Sequence, residues 1–443
     1  MKAVTIFLAL LAAAASAPNF RSTNFAPLLS SETAEVIQDQ AEFTTQSHPH
    51  KRAGHGIHHV FEIESHRGYI GTFHPHELDE IRQSPEVAYV ERDSMVYALK
   101  PEVESEVERD APWGLSRVSH REHPDRVEAH HYPYQSDAGE GVTIYIVDTG
   151  VNIEHQDFEG RASWYVINFF IMLVTYVYRG ATIPQGDADV DGNGHGTHCA
   201  GTSAGKTYGI AKKAKVVAVK VLRSNGSGTM SDVVKGIEWV SKHHKQLVEE
   251  YNTKVAAGEK PKKVKSAANM SLGGGKSRAL DMAVNAAVAS GVHFAVAAGN
   301  DDRDACNYSP AGADKAITVG ATTIDDDRAW FSNYGKCVDI FAPGHEILSA
   351  WIGSKVATNT ISGTSMASPH IAGIIASYLS RPEWESLSPA DFKKKLLENG
   401  TKNLIKMGII PPWGSGKLTP NLLVYTNPPE HKDKEDDDFI IDL

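Results

Sequence analysis

Short apolar runs alternate with helical patterns through the centre of this chain, and no other feature constrains its fold more. The runs at 142–147 and 292–298 are rich in β-branched or small apolar residues, as strands buried on both faces are. The sequence predicts further strands at 215–222, 267–272 and 316–321, and helices at 231–246, 279–290 and from Ser388 onward. The prediction is an α/β fold, a mainly parallel sheet with helices on both faces.

Polar residues beside these elements supply the parts of a nucleophilic triad. Asp148 ends the first strand, and His195 opens a helix made of small residues. Ser365 lies in a small-residue turn that enters an apolar helix, where free N–H groups stabilise developing negative charge. Serine needs a base to attack, and histidine has the right pKa range for that base. Asp148 would then hold the imidazole tautomer.

A fourth residue, Asn300, follows the strand at 292–298 after a glycine. Its amide can donate to an oxyanion together with the backbone N–H of Ser365. Taken alone, Asp148 and Asn300 would more simply be turn residues, so the interpretation depends on the four occurring together. His198 does not suggest a metal site with His195, because no third ligand follows at helical spacing.

These segments resemble the subtilisin-like serine peptidases, and most closely the fungal proteinase K and cerevisin branch, over about 111–427. The order Asp148, His195, Ser365 is that of this family, and the segments 111–115 and 269–274 also match. The resemblance implies a serine endopeptidase, made as a zymogen, that forms an acyl-enzyme on Ser365. A lipase or esterase is disfavoured because the nucleophile lacks the Gly-x-Ser-x-Gly elbow.

The resemblance also implies where a peptide substrate binds. The substrate would lie as a strand between two edges of the enzyme, and Ala297, Ala298 and Gly299 would line the primary specificity pocket. None of these three positions is charged, which implies a broad preference for apolar or aromatic side chains. The two edges are Ser227, Gly228 and Thr229 on one side and Ser271, Leu272 and Gly273 on the other.

The chain divides into four parts. Residues 1–17 have the charge, apolar run and small-residue end of a secretory signal, and 18–107 resemble an inhibitory α+β propeptide, structured over about 55–98. The peptidase domain covers 108–427, and 428–443 is a charged tail expected to be disordered. Within 19–46 no apolar run matches the strand that opens such propeptides, so either that strand is lost or the sequence is incomplete there.

Amino-acid composition limits the kinds of molecule that the protein is expected to bind. With 44 Lys and Arg against 55 Asp and Glu, the net charge of −11 disfavours nucleic-acid binding. The N-terminal apolar run is too short to span a membrane. The expected partners are protein and peptide substrates and the chain's own propeptide, and the enzyme is expected to be a monomer. The chemistry needs no cofactor. The secretory pathway is the expected route, with the vacuolar lumen as destination and the extracellular space as the alternative.

One segment departs from the family. Residues 165–179 are strongly apolar and lie between Trp164 and Gly180, where related proteases run directly from Trp to Gly. A retained intron explains this segment better than a genuine surface insertion does, because the insertion would expose an adhesive patch. If the segment is real, the alternative function is a catalytically impaired, peptide-binding subtilase-like protein.

The remaining predictions concern secondary sites. In the proteinase K branch a structural calcium is held by backbone carbonyls and an aspartate, and Asp314, Ala316 and Asp339 match that pattern. A purely structural role for Asp339 is the alternative. Cys306 and Cys337 can form a disulfide in an oxidising lumen or remain free. Cys199 is expected to be a buried thiol near His195.

Overall fold

The computed structural model describes residues 4–11, 56–63, 66–84, 87–92, 95–98, 102–103, 111–123, 130–164, 167–171, 174–178, 181–410 and 416–427. The tail predicted at 428–443 lies outside these residues. All elements below are numbered along the described chain.

The N-terminal part forms a small antiparallel sheet with one helix. Its elements are β1 (Val4–Leu11), β2 (Gly56–Ile63), β3 (His66–Phe73), α1 (Pro75–Gln83) and β4 (Tyr89–Arg92). The strand order is β2-β3-β1-β4. Tyr69 and Phe73 from β3 pack with Leu78 and Ile81 from α1 in a small core. Two short strands then follow, β5 (Met95–Ala98) and β6 (Glu102–Val103), and both pair with the larger domain.

Strand β1 consists of residues that the sequence assigned to a secretory signal. It pairs antiparallel with β3 from Val4 opposite Phe73 to Leu11 opposite His66, and with β4 on its other side. The apolar strand that appeared to be missing from 19–46 is thus supplied in this structure by β1. A signal peptidase cut near Ala17 would remove β1, so β4 would lose its neighbour in this sheet.

The larger domain contains the remaining strands and helices. In chain order they are α2 (Trp113–Ser119), β7 (Val142–Asp148), β8 (Ala162–Ser163), β9 (Ile167–Ile171), β10 (Val174–Tyr178), α3 (His195–Ala204), β11 (Lys215–Lys220), β12 (Ser227–Thr229), α4 (Met230–Ala256), β13 (Lys265–Met270), β14 (Leu272–Gly275), α5 (Arg278–Ala289), β15 (His293–Ala297), β16 (Tyr308–Ser309), β17 (Ile317–Thr322), β18 (Ile340–Pro343), β19 (Ile347–Ala350), β20 (Thr358–Ser362), α6 (Thr364–Leu379), α7 (Pro389–Asn399), β21 (Thr401–Lys402) and β22 (Leu422–Leu423). Short 3-10 helices span Gln156–Phe158, Ala305–Asn307 and Gly416–Leu418.

Nine of these strands form one sheet in the order β21-β22-β18-β17-β15-β13-β7-β11-β8. All neighbouring pairs are parallel except β21 with β22. This arrangement confirms the predicted α/β fold with a mainly parallel sheet. Because parallel strands run in one direction, the carboxyl ends of β7, β13 and β15 meet at one edge.

Each face of this sheet carries its own apolar core. Ile144 and Ile146 of β7 pack on one face with residues of α3 and α6. Tyr145 and Val147 point to the other face and pack with residues of α4 and α5. This division follows from the period of two along a strand, and it explains why the run at 142–147 is apolar throughout.

Helix α4 is longer than the sequence predicted. It continues from the expected end at Gln246 to Ala256, although its last turns are polar and largely exposed. Lys, Glu and Gln are good helix formers without burial, and no glycine occurs between Gly236 and Gly258 to stop the helix. The apolar periodicity alone therefore underestimated its length.

The segment 165–179 contributes the hairpin β9–β10. Its two strands pair antiparallel with each other and form a separate two-stranded sheet, outside the nine-stranded sheet. The chain leaves for the hairpin after β8, which pairs with β11, and returns at Thr182, which bridges to Lys220 of the same strand. The hairpin thus interrupts a single edge of the sheet.

Candidate active site

Asp148 and His195 meet where the end of β7 faces the start of α3. Nδ1 of His195 lies 2.7 Å from Oδ1 of Asp148, and both side chains are buried. The same carboxylate oxygen accepts the backbone N–H of Thr149 at 2.7 Å. This geometry assigns the proton to Nδ1 and leaves Nε2 as the acceptor. Nε2 is buried and has no hydrogen-bond partner among the described residues.

The first turn of α3 is held by Asp191, a residue to which the sequence analysis gave no role. Its Oδ1 accepts the backbone N–H groups of Asn193 at 3.0 Å and Gly194 at 2.9 Å, and the hydroxyl of Thr149 at 2.9 Å. Its Oδ2 accepts both the N–H and the hydroxyl of Thr197, at 2.9 and 2.6 Å. A carboxylate at this helix end satisfies free N–H groups and favours the dipole, so Asp191 fixes where His195 begins.

A close backbone approach also fixes α3 against β7. A Cβ atom on Gly196 would lie 2.1 Å from the carbonyl oxygen of Gly150, so only glycine fits at this position. Burial is the largest influence on the His195 pKa and lowers it. The Asp148 carboxylate, its hydrogen bond and the charge of Asp191 outweigh burial, and the His195 pKa is raised above 6.5.

Ser365 is the second residue of α6, and the residues around it are closely hydrogen-bonded. Its hydroxyl donates to the carbonyl of Ser271 at 3.3 Å, while its own carbonyl accepts the Ser271 hydroxyl at 2.7 Å. Asn269 links the Ser271 hydroxyl at 3.0 Å to the Ser368 hydroxyl at 2.7 Å. These contacts join the end of β13 to the first turn of α6, so they orient the Ser365 backbone.

Asn300 lies beside this turn, and its side-chain oxygen and nitrogen have different roles. Its Oδ1 accepts the N–H and hydroxyl of Thr364 at 2.9 and 2.7 Å. Its Nδ2 is buried and has no hydrogen-bond partner within the described parts of the chain. A Cβ atom on Gly363 would lie 3.1 Å from that Nδ2 and 3.5 Å from the Ser365 backbone nitrogen. Two donors therefore flank one point, where a carbonyl oxygen that becomes negative can be stabilised.

The two predicted substrate edges enclose a strand of the N-terminal part. Strand β5 pairs antiparallel with β12, where Tyr97 faces Ser227, and with β14, where Ala98 faces Leu272. Tyr97 also faces Gly273. The enzyme edges thus bind an extended segment by strand addition on both sides.

A cavity of about 280 Å³ opens beside β14. Ala297, Ala298 and Gly299 line it as the sequence predicted, but Asp301 and Tyr308 line it too. The three positions named from the sequence are uncharged, but the pocket also has a charged residue that the sequence analysis did not name. Asp301 is exposed and hydrogen-bonds Tyr308, so its charge remains solvated at the pocket wall.

The cysteines and His198 have structural surroundings. A disulfide joins Cys306 to Cys337, whose Cα atoms are 5.2 Å apart. Cys199 is buried near Asp148 and His195, its thiol donates to the Ser365 carbonyl at 3.4 Å, and burial raises its pKa. His198 does not belong to any group of possible metal ligands among the described residues. Its Nε2 donates to the Ile347 carbonyl at 2.8 Å, and burial lowers its pKa to about 3.

The residues matched to a calcium site come together, but around a lysine. The ammonium of Lys393 lies 2.8 Å from Asp339 Oδ2, and it also contacts the carbonyl oxygens of Asp314 and Ala316. A divalent cation at the same point would meet a positive charge. The residues present therefore do not fit calcium while Lys393 is in this position.

The fold and this site combine a serine at a helix N-terminus with an Asp–His pair at the carboxyl edge of a parallel sheet, an arrangement typical of serine hydrolases. Comparison with known proteins gives the family. The model described as "Subtilase family" matches residues 139–411, and "Peptidase inhibitor I9" matches residues 23–99. The chain belongs to the subtilase family and is a subtilisin-like serine peptidase with an inhibitor-type propeptide, which confirms the resemblance found in the sequence.

Named relatives are fungal proteases. The chain is 55% identical over 378 residues to the subtilisin-like serine protease Pen c 2 of Penicillium citrinum, covering 84% of this chain and 76% of that one. It is 54% identical over 382 residues to cerevisin of Saccharomyces cerevisiae, covering 84% of this chain and 55% of the relative. A solved structure of a cold adapted subtilisin-like serine proteinase is 39% identical, with a TM-score of 0.56, and the match covers 72% of this chain and 99% of that one.

No helix in the described residues is long and apolar enough to cross a membrane.

Proposed function

We propose that the chain is a serine endopeptidase whose catalytic residues are Asp148, His195 and Ser365, with Asn300 as oxyanion donor. The observation that carries this proposal is the His195 ring, which contacts Asp148 at 2.7 Å through Nδ1 while its buried Nε2 remains an available acceptor. Such a ring can take a proton from a nearby hydroxyl and return it later.

The reaction follows from these positions. The Ser365 oxygen attacks the peptide carbonyl carbon while His195 Nε2 takes the hydroxyl proton. The carbonyl oxygen becomes negative between Asn300 Nδ2 and the Ser365 N–H. His195 then protonates the leaving amine, which yields an acyl-enzyme, and water attacks this ester by the same route. Asp148 stabilises the imidazolium in both halves.

The precursor would cut itself near residue 99. The last described residue of β5, Ala98, faces Leu272, and the first described residue of β6, Glu102, faces Ser362. The cut would therefore fall between Ala98 and Glu102. Within that stretch we favour the Leu99–Lys100 bond, because Leu99 suits the expected preference for apolar side chains. This proposal moves the end of the propeptide from residue 107, where the sequence analysis drew it, to Leu99.

The propeptide would act as an inhibitor through contacts away from the scissile bond as well. Nε2 of His59 lies 2.6 Å from Oε2 of Glu238 on α4, and the backbone N–H of Glu62 donates to the other carboxylate oxygen at 3.1 Å. Only 4% of the Glu238 side chain is exposed. The contact exists only while the propeptide is bound, and it adds to the pair that Lys242 makes with Glu238 at 2.7 Å, so it favours the bound propeptide.

The specificity would be broad, with a preference for apolar or aromatic side chains. Small residues, Ala297, Ala298 and Gly299, leave room for a large side chain in the cavity. Asp301 adds a charge at its wall, so some acceptance of basic side chains accompanies the main preference.

We also propose a secretory route. The apolar run near the N-terminus is suited to a signal, and the Cys306–Cys337 disulfide fits an oxidising compartment. Within that route we favour the vacuolar lumen over the extracellular space, and a monomeric enzyme. Residues 1–17 and 428–443 would then be signal and tail, and the cut near Leu99 would separate the propeptide from the peptidase. No cofactor enters the chemistry.

The test is Ser365→Ala in the full chain, with Ser354→Ala as a matched control on an exposed loop. The parent and the control should release a propeptide whose mass ends at Leu99, and Ser365→Ala should remain uncut and hydrolyse no peptide. Normal processing of Ser365→Ala would contradict self-cleavage. A folded parent that binds peptide but never cuts would instead support the impaired, peptide-binding alternative.

A further inference from the structure

Helix α7 places one ammonium group among three oxygens that the sequence assigned to calcium. Nζ of Lys393 lies 2.9 Å from the carbonyl oxygen of Asp314, 2.6 Å from that of Ala316 and 2.8 Å from Oδ2 of Asp339. An ammonium has three donors, and here each one has an acceptor. The hydrogen-bonding capacity of the group is complete.

The lysine is presented by a fixed helix. Phe392, its neighbour on α7, is fully buried, and its ring packs 4.7 Å from His293 and 5.1 Å from Trp384. Ser388 caps the helix start by accepting the N–H of Asp391 at 3.2 Å. The Lys393 side chain is only 16% exposed, which separates it from an ordinary surface lysine.

The oxygens are fixed as well. Oδ2 of Asp339 also accepts the backbone N–H of Thr318 at 2.8 Å. Burial raises the pKa of Asp339, and Lys393 opposes that rise. On the other side, Asn285 donates to Asp314 Oδ1 at 2.5 Å and accepts the N–H of Lys315 at 2.9 Å. The cradle is therefore built from elements that do not depend on a bound ion.

Calcium requires six to eight oxygen ligands at about 2.3–2.6 Å, and the lysine stands where three protein oxygens of that kind converge. We propose that Lys393 permanently replaces a divalent cation at this site. The helix α7 carries the positive charge that joins Asp339 to the 314–316 turn, so the stability of this region does not depend on free calcium. Removing the ammonium should expose a cradle of hard oxygens that can accept calcium.

The experiment compares the full-length Ser365→Ala precursor, which does not cut itself, with the same protein carrying Lys393→Ala. Lys394→Ala is the matched control, because Lys394 is the exposed neighbour on the same helix. Apparent Tm is measured at one scan rate in excess EDTA, in millimolar calcium and in millimolar magnesium. In EDTA, Lys393→Ala should melt about 3–6 °C below the precursor. Calcium should restore at least half of that loss and magnesium should not, because magnesium demands a tighter octahedral site.

The precursor and Lys394→Ala should change by less than about 1 °C between EDTA and calcium. The proposal is overturned if Lys393→Ala gains no more from calcium than the precursor does. It is also overturned if EDTA lowers the Tm of the precursor as much as that of the variant.

A second measurement needs no destabilising variant. Mild acetylation of the folded precursor, followed by peptide mass spectrometry, should modify Lys393 at least about 10-fold more slowly than Lys394, because its three hydrogen bonds must first break. The protection should be the same with and without EDTA. Equal modification rates for the two lysines would contradict the proposal even if Lys393→Ala failed to fold.

Discussion

Asn300 accepts two hydrogen bonds from Thr364, at 2.9 Å from the backbone N–H and 2.7 Å from the hydroxyl. Both bonds use Oδ1, so they orient the side chain and leave its amide nitrogen directed beside Gly363. The proposed oxyanion donor is therefore in place before any substrate arrives. Preorganisation of this kind stabilises a transition state without a cost of reorientation during the reaction.

Asn300→Ala should therefore lower kcat by about 100- to 1,000-fold and change KM little, a magnitude known from the oxyanion donor of subtilisin. The kcat–KM split should be measured with a peptide amide substrate. Thermal unfolding of the variant serves as the control, because Thr364 also loses its acceptor. A raised KM with unchanged kcat would show that Asn300 binds ground-state substrate only.

The His195–Asp148 contact predicts the pH dependence. His195 must be neutral to act as a base, so activity is lost as the pH falls through its pKa. Since that pKa is raised, the acid limb of kcat/KM should lie above pH 6.5.

In Asp148→Asn the carboxylate that raises the His195 pKa is gone and burial remains. The acid limb should then move to lower pH, and kcat should fall by about 10⁴-fold. The measurement is the pH profile of kcat/KM for both proteins. An acid limb at the same pH in the variant would show that Asp148 does not raise the His195 pKa.

His59 should contribute to inhibition by the propeptide. Its contact with the buried Glu238 carboxylate predicts that His59→Ala in a propeptide added in trans raises Ki by about 10-fold, or about 1.4 kcal/mol. The matched control is His58→Ala, the exposed neighbour on β2. Equal Ki values for the two variants would show that the contact with Glu238 does not aid binding.

Deleting 165–179 should raise soluble yield and activity. Ser163 pairs with Val217 and Thr182 bridges to Lys220, so the two ends are three residues apart along β11, or about 10 Å. The joined chain from Ser163 to Thr182 has four steps and can reach about 13–14 Å, so closure needs no rearrangement. The test expresses both forms side by side and titrates active sites. Equal yield and activity, with a transcript that retains these codons, would identify the hairpin as a genuine element.

Local pattern was enough to predict much of this molecule. The strand β7 and the helix α3 follow from apolar runs and small residues within one short segment, and each carries its functional residue at an end. Asn300 and Ser365 could be placed in the same way, because the ends of parallel strands and the start of a helix are visible in sequence.

Features made by distant residues could not be predicted in this way. Lys393 belongs to a run of three lysines that is typical of a solvated helix face, and only the fold brings it to Asp339. Strand β1 looks like a secretory signal in isolation, and its pairing with β3 depends on residues more than fifty positions away. Asp301 was missed at the pocket because the turn after Gly299 determines which side chains face inward.

The most direct test of the account is covalent labelling with a fluorophosphonate, which reacts only with an activated serine. The processed enzyme should take up one label, located by peptide mass spectrometry at Ser365. The variant His195→Ala should remain unlabelled, because its serine has no base. Absence of label in the processed, folded enzyme, or a label on any other residue, would contradict the assignment of Ser365 as the nucleophile.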